Sequence, residues 1–430
     1  MHRSDTGGRV ADERLTGLEK SLPAATEGRT VAGFLATGPR LSGCHTPLLT
    51  LDDTALAGNL DRMARWCAER GLGLAPHGKT TMAPALWHRQ LRAGAWGITV
   101  ANPAQLRVAV RAGVPRIQLA NELVDPGAVR ELAGALAADP GLTVHSWVDS
   151  PDAVAALHAA LGPEPPPRPL TVLVELGAPG ARTGARDVDS ARTVAEVVAA
   201  SAHLRLGGVA GYEGAMAHDR SPAALAEVRR YLGELAELHR ALRAGGTYPA
   251  GEMVLSAGGS AYFDDVAELL GPLAGPATSV LLRSGAYLVH DDGFYRGISP
   301  FVAAGRDEPL RSAMHVWARV LSRPEPGLAL LDAGKRDVPF DEGLPEPQLA
   351  APSLGGPTRP LTGEVTALAD QHAFLRLDPD APLRVGEVVR LGLSHPCTAF
   401  DKWRVIPVLA RQPDADEPDP PIVDLVHTYF

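Results

Sequence analysis

The sequence predicts an α/β chain: a (β/α)8 barrel followed by a C-terminal all-β domain. Three observations carry this. Short apolar runs alternate with Ala-, Leu- and Arg-rich helical stretches from residue 46 to about residue 295. About nine such periods fill roughly 245 residues, close to the length of eight βα units. Beyond about residue 295 the helical stretches stop, and strand-like runs separated by Pro, Gly and Asp turns take over.

The elements follow in order. Residues 1–45 are mixed and Gly-rich, and are expected to pack on the β domain, where they could add a strand. LLTLD (48–52) reads as a strand. From Asp53 to about Arg70, Leu56, Leu60, Met63 and Cys67 recur at helical spacing, and Gly71 closes the helix. Apolar runs then appear at 71–76, 96–102, 116–121, 142–149, 170–176, 204–214, 252–259 and 279–289. Pro103, Asp125 and Ser150 stand where helices should start. Alternation of this kind implies a parallel sheet covered on both faces. Periodicity alone also permits a doubly wound open sheet. The expected divisions are an N-terminal segment (1–45), a barrel (46–295) and a β domain (296–430). Strands of the last are expected at 315–323, 328–334, 362–370, 373–377, 387–393 and 403–411.

Composition narrows the function classes. The chain has 430 residues, 45% of them hydrophobic and 21% charged, with a formal net charge of −9. A dedicated nucleic-acid binder would be basic. No run of 18 apolar residues suggests a membrane span. The N-terminus lacks the apolar stretch of a secretory signal, so the expected location is cytoplasmic. Three cysteines, Cys44, Cys67 and Cys397, cannot form a disulfide framework. Of 41 basic residues only four are lysines: Lys20, Lys79, Lys335 and Lys402. A lysine at a chemically special position therefore stands out.

Residues 73–80, Gly-Leu-Gly-Leu-Ala-Pro-His-Gly-Lys-Thr when read with the two residues before them, match the P-loop pattern G-x-x-x-x-G-K-[ST]. The context argues against a nucleotide site. A helix rather than a long strand precedes the first glycine, and Pro76 brings no N–H to a phosphate cradle. As part of a barrel, the same stretch puts Lys79 at the C-terminal end of the second strand, where barrel active sites form. Position alone favours a solvated loop lysine.

The stretch Pro76-His77-Gly78-Lys79-Thr80 resembles the P-H-x-K-T segment of the family of D-serine dehydratase and D-threonine aldolase. The resemblance covers roughly residues 45–430. It includes GAWGITVA (94–101), the run from Glu175 through Gly177, Arg182, Thr183 and Gly184, GYEG (211–214), SAGGS (256–260), RSGAYLVHDD (283–292), DAGKRD (332–337), DQH (370–372) and SHPCTAFDKWRVIPV (394–408). These are pyridoxal-phosphate enzymes of the alanine-racemase-like class, with a barrel followed by a β domain.

The resemblance implies that Lys79 forms the Schiff base with pyridoxal 5′-phosphate. That chemistry requires a lowered lysine pKa. His77, two residues earlier on an extended segment, would point to the same side and is a second catalytic candidate. Gly258, Gly259 and Ser260, with Gly285 and Tyr287, are implied to hold the cofactor phosphate, because glycine lets backbone N–H groups approach an anion closely. Arg182 and Arg283 fall where the wider class places arginines near the cofactor ring, and the sequence does not say which serves. Tyr212 is a further candidate contact. His395 and Cys397, in Ser-His-Pro-Cys, match the pair that binds a catalytic divalent metal. Thiolate plus imidazole selects Zn2+ and the dehydratase branch, whereas the aldolase branch carries an aspartate at the second position. His372 is a possible neighbour of that site.

The expected function is pyridoxal-phosphate- and zinc-dependent dehydration and deamination of a D-β-hydroxy amino acid, D-serine first, to pyruvate and ammonia. The alternatives are a metal-dependent aldolase of the D-threonine type and a non-catalytic pyridoxal-phosphate-binding protein. The partners implied are a small-molecule D-amino acid and a second copy of the chain, with no nucleic acid and no membrane.

Overall fold

The computed structural model describes residues 14–303 and 309–430. The first 13 residues of the expected N-terminal segment lie outside the described residues. Two sheets organise the chain. The first has eight parallel strands: β2 (Gly73–Leu74), β3 (Ile98–Val100), β4 (Arg116–Glu122), β5 (Thr143–Val148), β6 (Leu170–Leu176), β7 (Leu204–Gly211), β8 (Met253–Ala257) and β9 (Thr278–Leu282). Each pairs with its sequence neighbour, and β9 returns to β2. Between β2 and β3 the Trp96 N–H donates to the Leu74 carbonyl at 2.7 Å, and the Thr99 N–H to that of Pro76 at 2.8 Å. The ring thereby closes as a (β/α)8 barrel.

Local chemistry explains the rhythm. Asn102, Asp125 and Ser150 accept hydrogen bonds from the backbone N–H of Gln105, Ala128 and Ala153, and each is followed by a proline at the first helical position. This combination satisfies an orphan helix N–H and presets φ. Barrel closure also demands glycine: Gly208 in β7 has φ +140°, and a Cβ there would collide with Val254 of β8.

The second sheet is mainly antiparallel and holds β10 (Met314–Glu325), β11 (Leu328–Leu331), β12 (Glu346–Ala351), β13 (Arg359–Pro360), β14 (Glu364–Leu368), β15 (Ala373–Arg376), β16 (Val388–Gly392), β17 (Val405–Leu409) and β18 (Ile422–His427). Its tenth strand corrects the sequence reading. β1 (Leu48–Asp52), expected to open the barrel, pairs antiparallel with β10 and parallel with β17. All five of its residues are buried, so its apolar pattern suits either sheet and cannot choose between them. β12, β13 and β18 were not anticipated, nor was the short helix Pro396–Phe400.

The segment before β1 packs on this sheet. Leu15, Leu22, Val31, Phe34 and Leu41 share an apolar cluster with Leu48, Trp317, Val405 and Leu425. It contributes isolated bridges, Arg14 to Thr30 and Arg40 to Pro421, rather than a strand. Among the described residues no helix is long and apolar enough to cross a membrane.

Candidate active site

A cavity of about 420 Å3 lies at the C-terminal ends of the barrel strands. After β2 the chain stays extended: the Ala75 N–H donates to the Leu282 carbonyl at 2.8 Å and that of His77 to the Arg283 carbonyl at 3.1 Å. A single 3-10 turn, Gly78–Thr80, then carries Lys79 into the cavity. Gly78 is required there, because a Cβ would press on Trp87 and Ile98. Burial lowers the Lys79 pKa; the Cys397 thiol opposes this, and Arg182 and Arg283 lower it further. His77 also lines the cavity. Burial, then the charges of Lys79, Arg283 and Arg182, hold it neutral.

The two arginines are placed differently. Arg283 follows β9 and is 3% exposed. It donates to Ser256 Oγ at 2.7 Å and to the Gly211 carbonyl at 2.5 Å, with its guanidinium 5.0 Å from the centre of the Trp147 ring. Arg182 is exposed at the rim, 4.5 Å from the centre of the Tyr212 ring. Both line the cavity, as does Tyr212.

The glycine runs behave less uniformly than the sequence suggests. The backbone N–H groups of Gly258 and Gly259 donate to the two carboxylate oxygens of Glu213 at 2.9 and 2.6 Å. They are engaged by a buried side chain and do not present a free anion cradle. Gly259, Ser260, Gly285 and Ala286 line the cavity and Gly258 does not. The Ala286 N–H lies 3.3 Å from Ser260 Oγ. Tyr287, expected as a phosphate donor, sits elsewhere. It is buried beside Cys67 and Leu60 in a separate space of about 150 Å3, and its hydroxyl accepts from Gln90 at 3.2 Å. The 3-10 turn Ala286–Leu288 directs its ring away from the barrel mouth. His372 is exposed between β14 and β15, and it does not line the cavity.

The β domain supplies the opposite wall. His395 begins the helix Pro396–Phe400 with φ +51°, and its N–H donates to Asp291 Oδ2 at 3.0 Å. Its Nδ1 donates to Asp341 Oδ2 at 2.6 Å. Cys397, two residues on, has Sγ 3.5 Å from Thr80 Oγ1. Burial opposes ionisation of this thiol, but His395, Thr80 and the nearby Lys79 hold its pKa below the ordinary thiol range. Burial lowers the pKa of His395, yet Cys397 and Asp341 outweigh that and raise it to about 9.

Two acids absent from the sequence reading as a pair stand at strand ends, and of these Glu175 lines the cavity. Glu122 ends β4 and Glu175 is the penultimate residue of β6. Burial, then the neighbouring Glu175, pushes Glu122 up to about 9, so it holds a proton at neutral pH. Asp341, Glu213, Thr80, Trp147 and Tyr295 were also missed. Trp147 and Glu122 could have been flagged by their place at strand ends. Asp341 and Glu213 act across long sequence separations and carry no local signal.

The donor sets fit the groups the sequence implied. Among the cavity-lining side chains, His77 Nδ1, Trp147 Nε1 and Glu175 Oε2 are buried polar atoms without a hydrogen-bond partner, a lining suited to a polar guest. Lys79 supplies an amine of lowered pKa, and Ser260 with Gly285 and Ala286 a polar turn across the cavity. His395 and Cys397 offer one imidazole and one thiolate. Among the described residues no group of three or more His, Cys, Asp or Glu side chains could hold a metal. Two protein donors leave positions open, as in a catalytic rather than a structural site.

Comparisons with known proteins agree with this architecture. The family model of a putative serine dehydratase domain matches residues 313–409. The chain is 28% identical to D-threonine aldolase of Arthrobacter sp. over 376 residues, covering 85% of this chain and 89% of that protein. The crystal structure of D-threonine aldolase from Filomicrobium marinum superposes with a TM-score of 0.73 at 26% identity, over 91% of this chain and 97% of the other. D-threo-3-hydroxyaspartate dehydratase from Delftia sp. HT23 shares the fold, with a TM-score of 0.71 at 23% identity over 91% and 99% of the two chains.

Proposed function

We propose that the chain is a member of the D-serine dehydratase and D-threonine aldolase family of alanine-racemase-like proteins, which it resembles in sequence and fold, and that it is a pyridoxal-phosphate-dependent lyase acting on a β-hydroxy D-amino acid. The observation that carries the reading is the convergence of Lys79, from the barrel, and the His395–Cys397 pair, from the β domain, on one cavity. Pyridoxal phosphate, when bound, supplies an electron sink for the charge left at Cα, and Zn2+ a Lewis acid for the β-hydroxyl.

The chain's own residues divide the remaining work. Lys79 would hold the cofactor's aldehyde and then, with its pKa lowered, take the Cα proton on its Nζ. Ser260, Gly285 and Ala286 would meet the phosphate end. Neutral His77 packs beside Lys79 and adds no charge that would compete for the substrate ammonium. Arg182, exposed at the rim, offers a cation to the substrate carboxylate. His395 and Cys397 would hold the metal. The aromatic wall of buried Trp147 and half-buried Tyr212 and Tyr295 would limit water at the reacting carbon.

The leading reaction is dehydration, because Cys397 gives a thiolate donor. D-serine, its simplest substrate, would yield pyruvate and ammonia. Aldol cleavage is the second reading, favoured by the identity to D-threonine aldolase across 85% of the chain. Product analysis decides. With D-threonine, 2-oxobutanoate and ammonia support dehydration, whereas glycine and acetaldehyde support cleavage. A homodimer is part of the same proposal and is checked by the protein's mass in solution.

A further inference from the structure

The chain leaves the Lys79 turn through a strained residue. Met82 has φ +42° and is 1% exposed. Its positive φ redirects the chain from the turn Gly78–Thr80 into the helix Pro84–Arg92. A residue with a Cβ is disfavoured in the left-handed region and stays there only where its surroundings hold it. His395, on the facing wall of the cavity, is another such residue, at +51°.

The near side of the turn is fastened locally. The Gly78 carbonyl accepts the Met82 N–H at 2.8 Å, the Thr81 N–H at 3.2 Å and the Trp87 indole N–H at 3.2 Å. These donors lie close to Gly78 in sequence. They fix the shape of the turn rather than its position against the β domain.

The far side is fastened by the β domain. The Met82 carbonyl accepts the N–H of Tyr429, just beyond β18, at 2.9 Å. The preceding residue, Thr428, donates its N–H to the Arg404 carbonyl at 3.0 Å and its hydroxyl to the Trp403 carbonyl. Trp403 is buried, and its backbone N–H donates to the Phe400 carbonyl at 3.2 Å, where the helix bearing Cys397 ends. Two adjacent residues thus bond to two different segments. Thr428 holds the chain that follows Cys397, and Tyr429 holds the chain that follows Lys79. The Thr80–Cys397 contact of 3.5 Å lies between these two fastenings in the chain. Without the Tyr429 bond, Met82 is free to relax from its positive φ, and the turn bearing Lys79 shifts with it.

We propose that Tyr429 is a positioning residue: its backbone N–H holds Met82 in the left-handed conformation and so places the Lys79 amine against the His395–Cys397 wall. The use made of that amine rests on the lyase reading above, whereas its placement is tested separately.

The test uses the full chain. Tyr429→Pro deletes the N–H, and Tyr429→Ala keeps it while removing the ring. Pyridoxal phosphate affinity, followed by the absorbance of the bound cofactor, should weaken about three- to tenfold in the proline variant, the scale of one neutral hydrogen bond. The alanine variant should match the wild type. Lys79 is also read without cofactor, by competitive acetylation and peptide mapping with exposed Lys335 as the internal reference. Labelling of Lys79 should quicken about three- to tenfold in Tyr429→Pro alone. Unchanged affinity and labelling in Tyr429→Pro, even with a lowered melting temperature, overturn the inference, because the bond then serves stability only. Equal effects in both variants overturn it as well, because the ring and not the N–H then matters. If the wild type takes up no pyridoxal phosphate, the lyase reading fails, and the labelling decides the placement by itself. If the proline variant does not fold, the α-hydroxy acid analogue of tyrosine at position 429 replaces that N–H by an ester oxygen, and the same comparison decides.

Discussion

Asp341 Oδ2 accepts a hydrogen bond from His395 Nδ1 at 2.6 Å, while Asp341 Oδ1 accepts the Thr398 hydroxyl at 2.7 Å. The carboxylate is thereby fixed at both oxygens and holds the proton on Nδ1, which leaves Nε2 as the free ligand nitrogen. Metal-binding histidines are commonly oriented this way, and losing the partner typically costs about 10–100-fold in metal affinity. Asp341→Asn should weaken Zn2+ binding by that factor in a competition titration with a chromophoric chelator. Asp341→Glu should recover part of it. Unchanged affinity in the Asn variant would show that the pair is only a surface contact.

The same pair sets a pH dependence. Without metal, His395 keeps its proton up to about pH 9. A metal must displace that proton, so apparent affinity should rise with pH by up to about tenfold per unit and level off near pH 9. Chelator competition at pH 6, 7 and 8 checks the slope. A flat profile would remove His395 as a ligand.

Glu122 carries a second pH signature. Its folded pKa, about 9, stands above the ordinary carboxyl value because burial and then Glu175 disfavour its charge. A raised acid binds its proton more tightly folded than unfolded. Its contribution is therefore fully present below about pH 4.5 and is lost as pH rises toward about 9. Glu122→Gln keeps the shape and abolishes the titration. The variant's melting temperature should gain on that of the wild type steadily from pH 5 to pH 8.5. A constant difference would mean that Glu122 is already ionised in the folded protein.

How far these features could be read in advance depends on whether the signal is local. The barrel strands β3, β4 and β5 announce themselves because each apolar run is followed by a helix cap, Asn102, Asp125 and Ser150 in turn. Lys79 stands out through scarcity and its place after β2. β1 misleads because a five-residue apolar strand says nothing about which sheet will receive it. Gly258 and Gly259 looked like phosphate donors until Glu213, 45 residues away, was seen to occupy their N–H groups. Tyr287 was misplaced because one turn of 3-10 helix decides which way its ring points.

The lysine assignment is open to a direct chemical test. Borohydride reduction of the holoprotein should fix pyridoxal phosphate covalently to Lys79. With four lysines in the chain, peptide mapping is unambiguous. Lys20 pairs with Asp337 at 2.8 Å and Lys402 with Asp401 at 3.1 Å, both away from the cavity that Lys79 enters. Label on Lys20, Lys335 or Lys402 would remove the central assignment. The single base on one face also predicts turnover of D- and not L-enantiomers.

Cys397 separates the two reactions. Its thiol faces Thr80 and lies close enough to Lys79 to influence that amine's pKa, so barrel and β domain meet at this atom. If the thiolate holds Zn2+, Cys397→Ala should lose bound metal and dehydration activity while Lys79 still takes up the cofactor, seen as retained cofactor absorbance. Cys397→Asp replaces a soft donor by a hard one, and metal preference should move from zinc toward manganese or magnesium. The ratio of aldol cleavage to dehydration should rise with it. A buried cysteine serving only as a small apolar filler predicts the reverse. Removing it would then cost modest stability, leave zinc content and activity near wild type, and leave the protein indifferent to chelators. Metal analysis of wild type and both variants, run beside product analysis on D-threonine, separates these outcomes, and unchanged zinc in Cys397→Ala would end the case for dehydration over cleavage.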